Sequence, residues 1–304
     1  MGTRSGRHGS AGGPAPARAR ALSAILALLA GLSWCGPAGA EAPPAQDGPS
    51  ITWSVYEAGP FMMLDGPERG TGIFDRIRGL LAERLGDVSQ RTISAPFPRL
   101  LAEIRNGADW CFVGGIRTPE REAFAAFSLP VAMFYPLRVI VHAPQRARFE
   151  ALGPIPLARL LEDGTAWRTS VLLGRSLAPA VDALLRARPP AQTFSEFPEA
   201  FRMLLRDRLD YLIEFPSIAA YHARHLQADG ALVALPLSET PDPVFSRVMC
   251  ARTPQGLAVV ARIDAILRAE RPNPAYRAIV EAWSDPADLP KLRAIYDARF
   301  LTSD

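Results

Sequence analysis

Asp109-Trp-Cys-Phe-Val-Gly-Gly-Ile-Arg-Thr-Pro-Glu-Arg121, followed by Phe124-Ala-Ala-Phe-Ser-Leu-Pro130, decides the fold. A short apolar strand from Asp109 to Gly114 runs into Gly114 and Gly115, whose bare backbone lets amides approach a ligand closely. Thr118 stands where it caps a helix starting at Pro119. Orphan amides, the helix dipole and the Arg121 guanidinium then converge one turn in, which suits an anion. Judged alone, the same residues also fit an ordinary capped helix with a solvated arginine, so the surrounding chain has to decide.

Upstream, Ile51-Thr-Trp-Ser-Val-Tyr56 is β-branched and aromatic, and Gly59-Pro60 ends it. Ile73, Ile77, Leu80, Leu81 and Leu85 recur at helical spacing up to a stop at Gly86. Arg91–Ser94 reads as a strand and Pro98–Asn106 as a helix ended by Gly107. Downstream, strands are predicted at Leu137–His142, Thr169–Leu173, Phe194, Tyr211–Glu214, Leu232–Leu235 and Phe245–Ala251. Helices are predicted at Leu157–Glu162, Ala178–Arg188, Glu199–Arg206 and Ser217–Leu226, with a helical remainder broken at Pro272, Pro274 and Pro286. Alternation of this kind predicts α/β layers with a largely parallel sheet.

The ends set the compartment. Four arginines and no acid in residues 1–20, an apolar run from Ala21 to Trp34 and then Ala38-Gly39-Ala40 read as a secretory leader over 1–40, cleaved near Ala40. The run is 14 residues, too short to span a bilayer, and no later stretch is longer without charge or proline. A soluble periplasmic protein is expected, with 41–50 as a proline-rich tether. Removing Arg4, Arg7, Arg18 and Arg20 from 34 basic residues leaves 30 against 31 acidic ones. That near-neutral balance carries no footprint for nucleic acid. Cys35 leaves with the leader, so Cys111 and Cys250 remain, either paired as a disulfide or buried as two small hydrophobes.

Strand, glycine turn, Thr-Pro-Glu-Arg and Phe-Ser-Leu-Pro together resemble the signature of the family-3, amino-acid-type periplasmic solute-binding proteins. The likeness runs through Gly59-Pro60-Phe61, Gly72-Ile-Phe-Asp75, Phe97 and Arg105-Asn-Gly-Ala-Asp109. It is weaker at Gly174-Arg-Ser176 and Leu209-Asp-Tyr-Leu-Ile-Glu214. The resemblance implies two Rossmann-like α/β lobes joined by two hinge strands, the type II periplasmic binding fold. Lobe 1 would comprise 51–138 and 242–304, and lobe 2 would comprise 139–241. It also implies a monomer that binds a small amino-acid-like or carboxylate ligand on closure, without cofactor or metal, and delivers it to an ABC permease or a membrane sensor.

By position, the resemblance makes Arg121 the carboxylate anchor and Phe97 an aromatic wall. Tyr56, Phe61, Gly114, Gly115 and Thr118 stand beside them, Arg175 and Ser176 form a second-lobe donor loop, and Glu214 lies next to the acid that takes an ammonium. This chain departs from the pattern at Ala58, Ile116 and Phe215, where an aromatic, a hydroxyl donor and that acid are usual, which counts against an α-amino acid. Extra arginines at 117 and 175 point to a more anionic ligand. An enzyme resembling cyclohexadienyl dehydratase, with Glu214 as general acid, is the alternative, and an interaction module with a vestigial cleft is another. His222 and His225 share a helix face but have no third ligand, and a solvated face is expected there.

Overall fold

The computed structural model describes residues 50–134, 136–162, 167–239, 243–284, 286 and 288–303. The expected leader and residues 41–49 of the expected tether lie outside them. Ser50, grouped with the tether on sequence, instead opens the first strand, β1 (Ser50–Val55), and pairs with Ser89.

The chain continues through α1 (Ile73–Arg84), β2 (Ser89–Ser94), α2 (Phe97–Arg105), β3 (Trp110–Ile116), α3 (Pro119–Glu122) and β4 (Ala125–Phe134). Ile73, Ile77 and Leu81 face inward from α1, as do Leu100 and Ile104 from α2, at the spacing that puts one helix face on a sheet. Next come β5 (Arg138–His142), α4 (Arg146–Glu150), α5 (Leu157–Glu162), β6 (Ser170–Leu172), α6 (Pro179–Ala187), β7 (Gln192–Phe194), α7 (Phe197–Leu205), β8 (Leu212–Glu214), α8 (Pro216–His225) and β9 (Leu232–Pro236). The chain then re-enters the first layer with β10 (Val244–Ala251) and ends in α9 (Pro254–Glu270), α10 (Pro274–Glu281), α11 (Leu289–Ile295) and a final wide turn over Tyr296–Phe300.

Two α/β lobes result. One is built on a five-stranded sheet ordered β2-β1-β3-β10-β4, the other on β8-β5-β9 with a separate pair β6-β7. The chain passes between them twice, from β4 to β5 and from β9 to β10. That route corrects the expectation of a largely parallel sheet. β1, β2 and β3 are parallel, but β10 is antiparallel to β3 and β4, and β5 is antiparallel to β8 and β9. β5 and β10 each follow a passage from the other lobe and enter their sheets from the opposite end.

β4, to which the spacing assigns no element, carries Pro130, a residue that argues against a central strand. It is an edge strand, and Pro130 sits opposite Arg247 where the register slips, a position that tolerates a missing N–H. Cys111 and Cys250 face each other across β3 and β10 and form a disulfide. The aromatic C-terminal segment packs onto the first lobe. The Tyr276 hydroxyl donates to Val131 O (2.8 Å), the Tyr296 hydroxyl donates to Arg271 O (2.7 Å), and Phe300 lies against Phe245. Among the described residues, no helix is long and apolar enough to cross a membrane.

Candidate ligand site

Arg121 sits where the lobes meet. Thr118 Oγ1 accepts from Arg121 N at 3.3 Å, the cap expected from the sequence, and Pro119 occupies the first turn of α3. The turn swings the side chain inward until the residue is only 5 % exposed. One Nη donates to Ile116 O in its own lobe (2.9 Å), the other to Gly174 O in the second lobe (2.7 Å). Gly174 has φ +75°, which only glycine adopts freely, and so can hold its carbonyl at that point. No described carboxylate lies within ion-pairing distance of Arg121. Burial pushes its guanidinium below the ordinary arginine value, and the more distant Asp182 and Glu120 offset this only in part.

Most other charged groups at the seam are matched, and Arg186 at the outer rim is exposed to solvent. Both Arg175 terminal nitrogens donate to Glu214, one of them at 2.9 Å to Oε1, which also accepts from Phe215 N (2.9 Å). The side chains are 13 % and 4 % exposed. Burial alone would lower the Arg175 pKa, but the charge and hydrogen bonds of Glu214 more than reverse it, and the guanidinium ends above its ordinary value. Asp182 accepts from Ser176 Oγ and Leu177 N, which ties the Gly174–Leu177 loop to α6. Glu120 pairs with Arg105 at 3.1 Å.

Two chambers flank Arg121. The inner one holds about 30 Å³, enough for one or two waters, and is walled largely by rings, including Tyr56, Phe61, Phe97, Phe134 and Phe215. Phe134 of the first lobe stacks on Phe215 of the second at 4.7 Å, and Phe61 meets Phe134 at 4.8 Å. Burial raises the Tyr56 hydroxyl to about 12, against the opposing charge of Arg175. The outer chamber holds about 430 Å³ and lies between α2 and α3 on one side and β6, β7 and α6 on the other.

The structure therefore gathers most of the residues singled out in the sequence. Tyr56, Phe61, Phe97, Gly114, Arg121, Arg175 and Ser176 border the inner chamber, while Thr118 and Glu214 border the outer one. Gly115 borders neither and packs on Met249. Gly114 has a packing reason of its own: at φ +119°, a Cβ there would meet the Phe74 ring at 2.4 Å. Arg117 is exposed and pairs with Glu122 (2.5 Å). His222 lies flat against Phe201 (4.9 Å) and is 2 % exposed, a buried core histidine where a solvated face was expected. Among the described residues, no cluster of metal-ligating side chains occurs. Asp182, Phe134 and Phe197 were not anticipated. Nothing near them in sequence marks them, because each is brought to the seam by chain folding.

No family model matches this sequence, and neither does any curated protein. Solved structures do. A mutant of ArgBP from T. maritima shares 18 % identity and a TM-score of 0.61, over 77 % of this chain and 95 % of that one. A histidine kinase sensor domain with similarity to periplasmic binding proteins shares 15 % identity and a TM-score of 0.61, over 78 % and 96 %. The ancestral amino-acid-binding protein AncCDT-1, a precursor of cyclohexadienyl dehydratase, shares 18 % identity and a TM-score of 0.60, again over 78 % and 96 %. At such identities a likeness speaks for architecture, and the architecture is plain: the chain has the two-lobed α/β fold of the amino-acid-type periplasmic binding proteins.

Proposed function

We propose that this protein is a periplasmic solute-binding protein that holds a small anionic ligand at the interlobe seam and passes it, as a monomer, to an ABC-type transporter or a membrane sensor. The observation that carries the reading is Arg121, a buried guanidinium with no carboxylate partner, bordering both chambers. An uncompensated buried charge is costly, so a structure that keeps one in a cleft suits an arriving counter-charge. The hinge in this reading is the pair of chain passages from β4 to β5 and from β9 to β10; Arg138, grouped with lobe 1 (51–138 and 242–304) on sequence, instead opens β5 and pairs with Glu214 and Pro236 in lobe 2 (139–241).

The dehydratase-like alternative asks Glu214 to hold and release a proton. Both its oxygens accept from Arg175 and one also accepts from Phe215 N, a set of donors suited to a carboxylate rather than an acid. A vestigial-cleft module is favoured by one observation, the ring-filled inner chamber.

A thermal-shift screen against amino acids, dicarboxylates, sugar acids and small phosphates separates these readings. A ligand that binds only the native state raises its melting point by mass action. The expected result is stabilisation by at least one anion in the wild type and not in Arg121→Ala. Absence of any shift across the panel would favour the vestigial cleft.

A further inference from the structure

Resting on the reading of Arg121 as the ligand anchor, we propose that the ligand is an amphipathic monocarboxylate without an ammonium group, its head on Arg121 and its apolar body in the outer chamber along the slot between β6 and β8.

The charge pattern favours an anion over a zwitterion. Four arginines (105, 121, 175 and 186) and three carboxylates (Glu120, Asp182 and Glu214) border the outer chamber. Each carboxylate already accepts from a partner: Glu120 from Arg105, Asp182 from Ser176 and Leu177, and Glu214 from Arg175 and Phe215. Only Glu214 is held by a sheltered counter-charge, so an α-ammonium would have to share Asp182 with the Ser176 and Leu177 donors or reach the solvent-exposed Glu120, whose side chain is 73 % exposed. Arg121 is in the opposite position. A guanidinium has five N–H groups, and the two protein carbonyls take two of them, leaving three for a carboxylate.

The shape and lining call for an apolar body. At about 430 Å³ the outer chamber falls in the range of small-molecule sites, whereas the inner one does not. Its walls include Leu101, Leu172, Leu185, Phe194, Phe201 and Ile213. Leu173 also lines it and is 51 % exposed, and among the described residues only Leu257, on α9, is a comparably exposed large apolar side chain. The slot arises because the second lobe's sheet is split. Asp210 N donates to Arg168 O (2.8 Å) at one end, but no ladder joins β6 to β8 beyond it. Residues of both edges, Ser170–Leu172 and Leu212–Glu214, line the chamber.

The test is titration calorimetry with matched probes: L-leucine and 4-methylpentanoate, which differ only in the ammonium, then octanoate and succinate. The expected result is 4-methylpentanoate binding at least about tenfold tighter than L-leucine. Octanoate should bind tighter still, by up to about fourfold per additional buried methylene. Arg121→Ala should abolish binding of both monocarboxylates. Leu173→Ser, at an exposed position that does not threaten folding, should weaken octanoate by roughly fivefold to tenfold, and Leu257→Ser should leave it unchanged. L-Leucine binding as tightly as its deaminated twin, or succinate binding through Arg121 while octanoate does not, would overturn this inference and spare the anion-site reading. Binding by none of the probes, with none from the wider anion panel, would overturn both, as would binding indifferent to Arg121.

Discussion

Replacing Glu214 by leucine removes the carboxylate that holds Arg175, and the geometry sets the size of the effect. Two charge-assisted bonds to Arg175 and one from the Phe215 amide are lost, and a guanidinium whose side chain is 13 % exposed is left uncompensated. Removing one partner of a buried pair costs about 3–5 kcal/mol, and the slight exposure of Arg175 places this one near 3 kcal/mol. Arg175→Met should cost a similar amount. The double variant should cost much less than the sum, because two apolar side chains replace two ions, giving a coupling of about 2–3 kcal/mol. Urea unfolding of the four proteins, followed by circular dichroism at equal m-values, measures it. Additive losses would refute the reasoning. A Glu214→Leu variant as stable as wild type would return Glu214 to the candidates for a ligand ammonium or a proton.

The disulfide closes a separation of 139 residues, for which the chain-entropy model gives about 5 kcal/mol, so the Cys111→Ala/Cys250→Ala pair should unfold at much lower urea. An unchanged midpoint would show that the bond contributes nothing. Burial lowers the His222 pKa to about 3, below the unfolded 6.5, so the unfolded chain binds the extra proton. Stability from this group is full above pH 6.5 and falls as pH drops, by about 2 kcal/mol at pH 5, and His222→Phe should flatten that slope. Burial raises Tyr56 and Tyr221 to about 12, and Tyr211, Tyr276 and Tyr296 also rise above the ordinary tyrosine value. Their neutral forms stabilise the fold below pH 10, and that contribution is lost as pH rises further, so ultraviolet titration should show these phenols ionising together with unfolding.

The parts of the fold that local pattern encodes were legible. α1 and α2 show their buried faces in the spacing of Ile73, Ile77, Leu81, Leu100 and Ile104, and Thr118-Pro119 states its own cap. β4 was hidden because Pro130 is a breaker anywhere but at an edge or a register slip, and edge status is decided by β10, more than a hundred residues later. For the site, the signature located Arg121 and Gly174-Arg-Ser176, but not what each one touches. Whether Arg175 faces a ligand or Glu214 depends on how the loop after β6 lies against β8, which spacing does not record. Glycine at 114 was read as access for a ligand, while the Phe74 ring against its backbone is reason enough for it.

What joins the lobes bears on how a ligand acts on them. The Glu68–Arg224 pair joins the first lobe to α8 with side chains 33 % and 49 % exposed, and such a pair contributes at most about 1 kcal/mol and fades with salt. The Phe134–Phe215 stack adds about 0.5–1.5 kcal/mol beyond the area it buries and is indifferent to salt. The bond from Arg121 to Gly174 O is charge-assisted and sheltered, worth about 1.5–3 kcal/mol. If the lobes close on a ligand as proposed, closure is governed by Arg121 and the rings, and ionic strength should shift it little. Because Arg121 keeps three donors beyond the two it spends on carbonyls, a carboxylate can bind without breaking the bond across the seam. In the proposed reading ligand and closure draw on the same guanidinium cooperatively, the ligand compensating the charge that closure would leave in a dry site. An anchor already committed to a carboxylate, as Arg175 is to Glu214, has no such charge left to share, so in the proposed reading the seam's second arginine holds the structure and its first remains for the ligand.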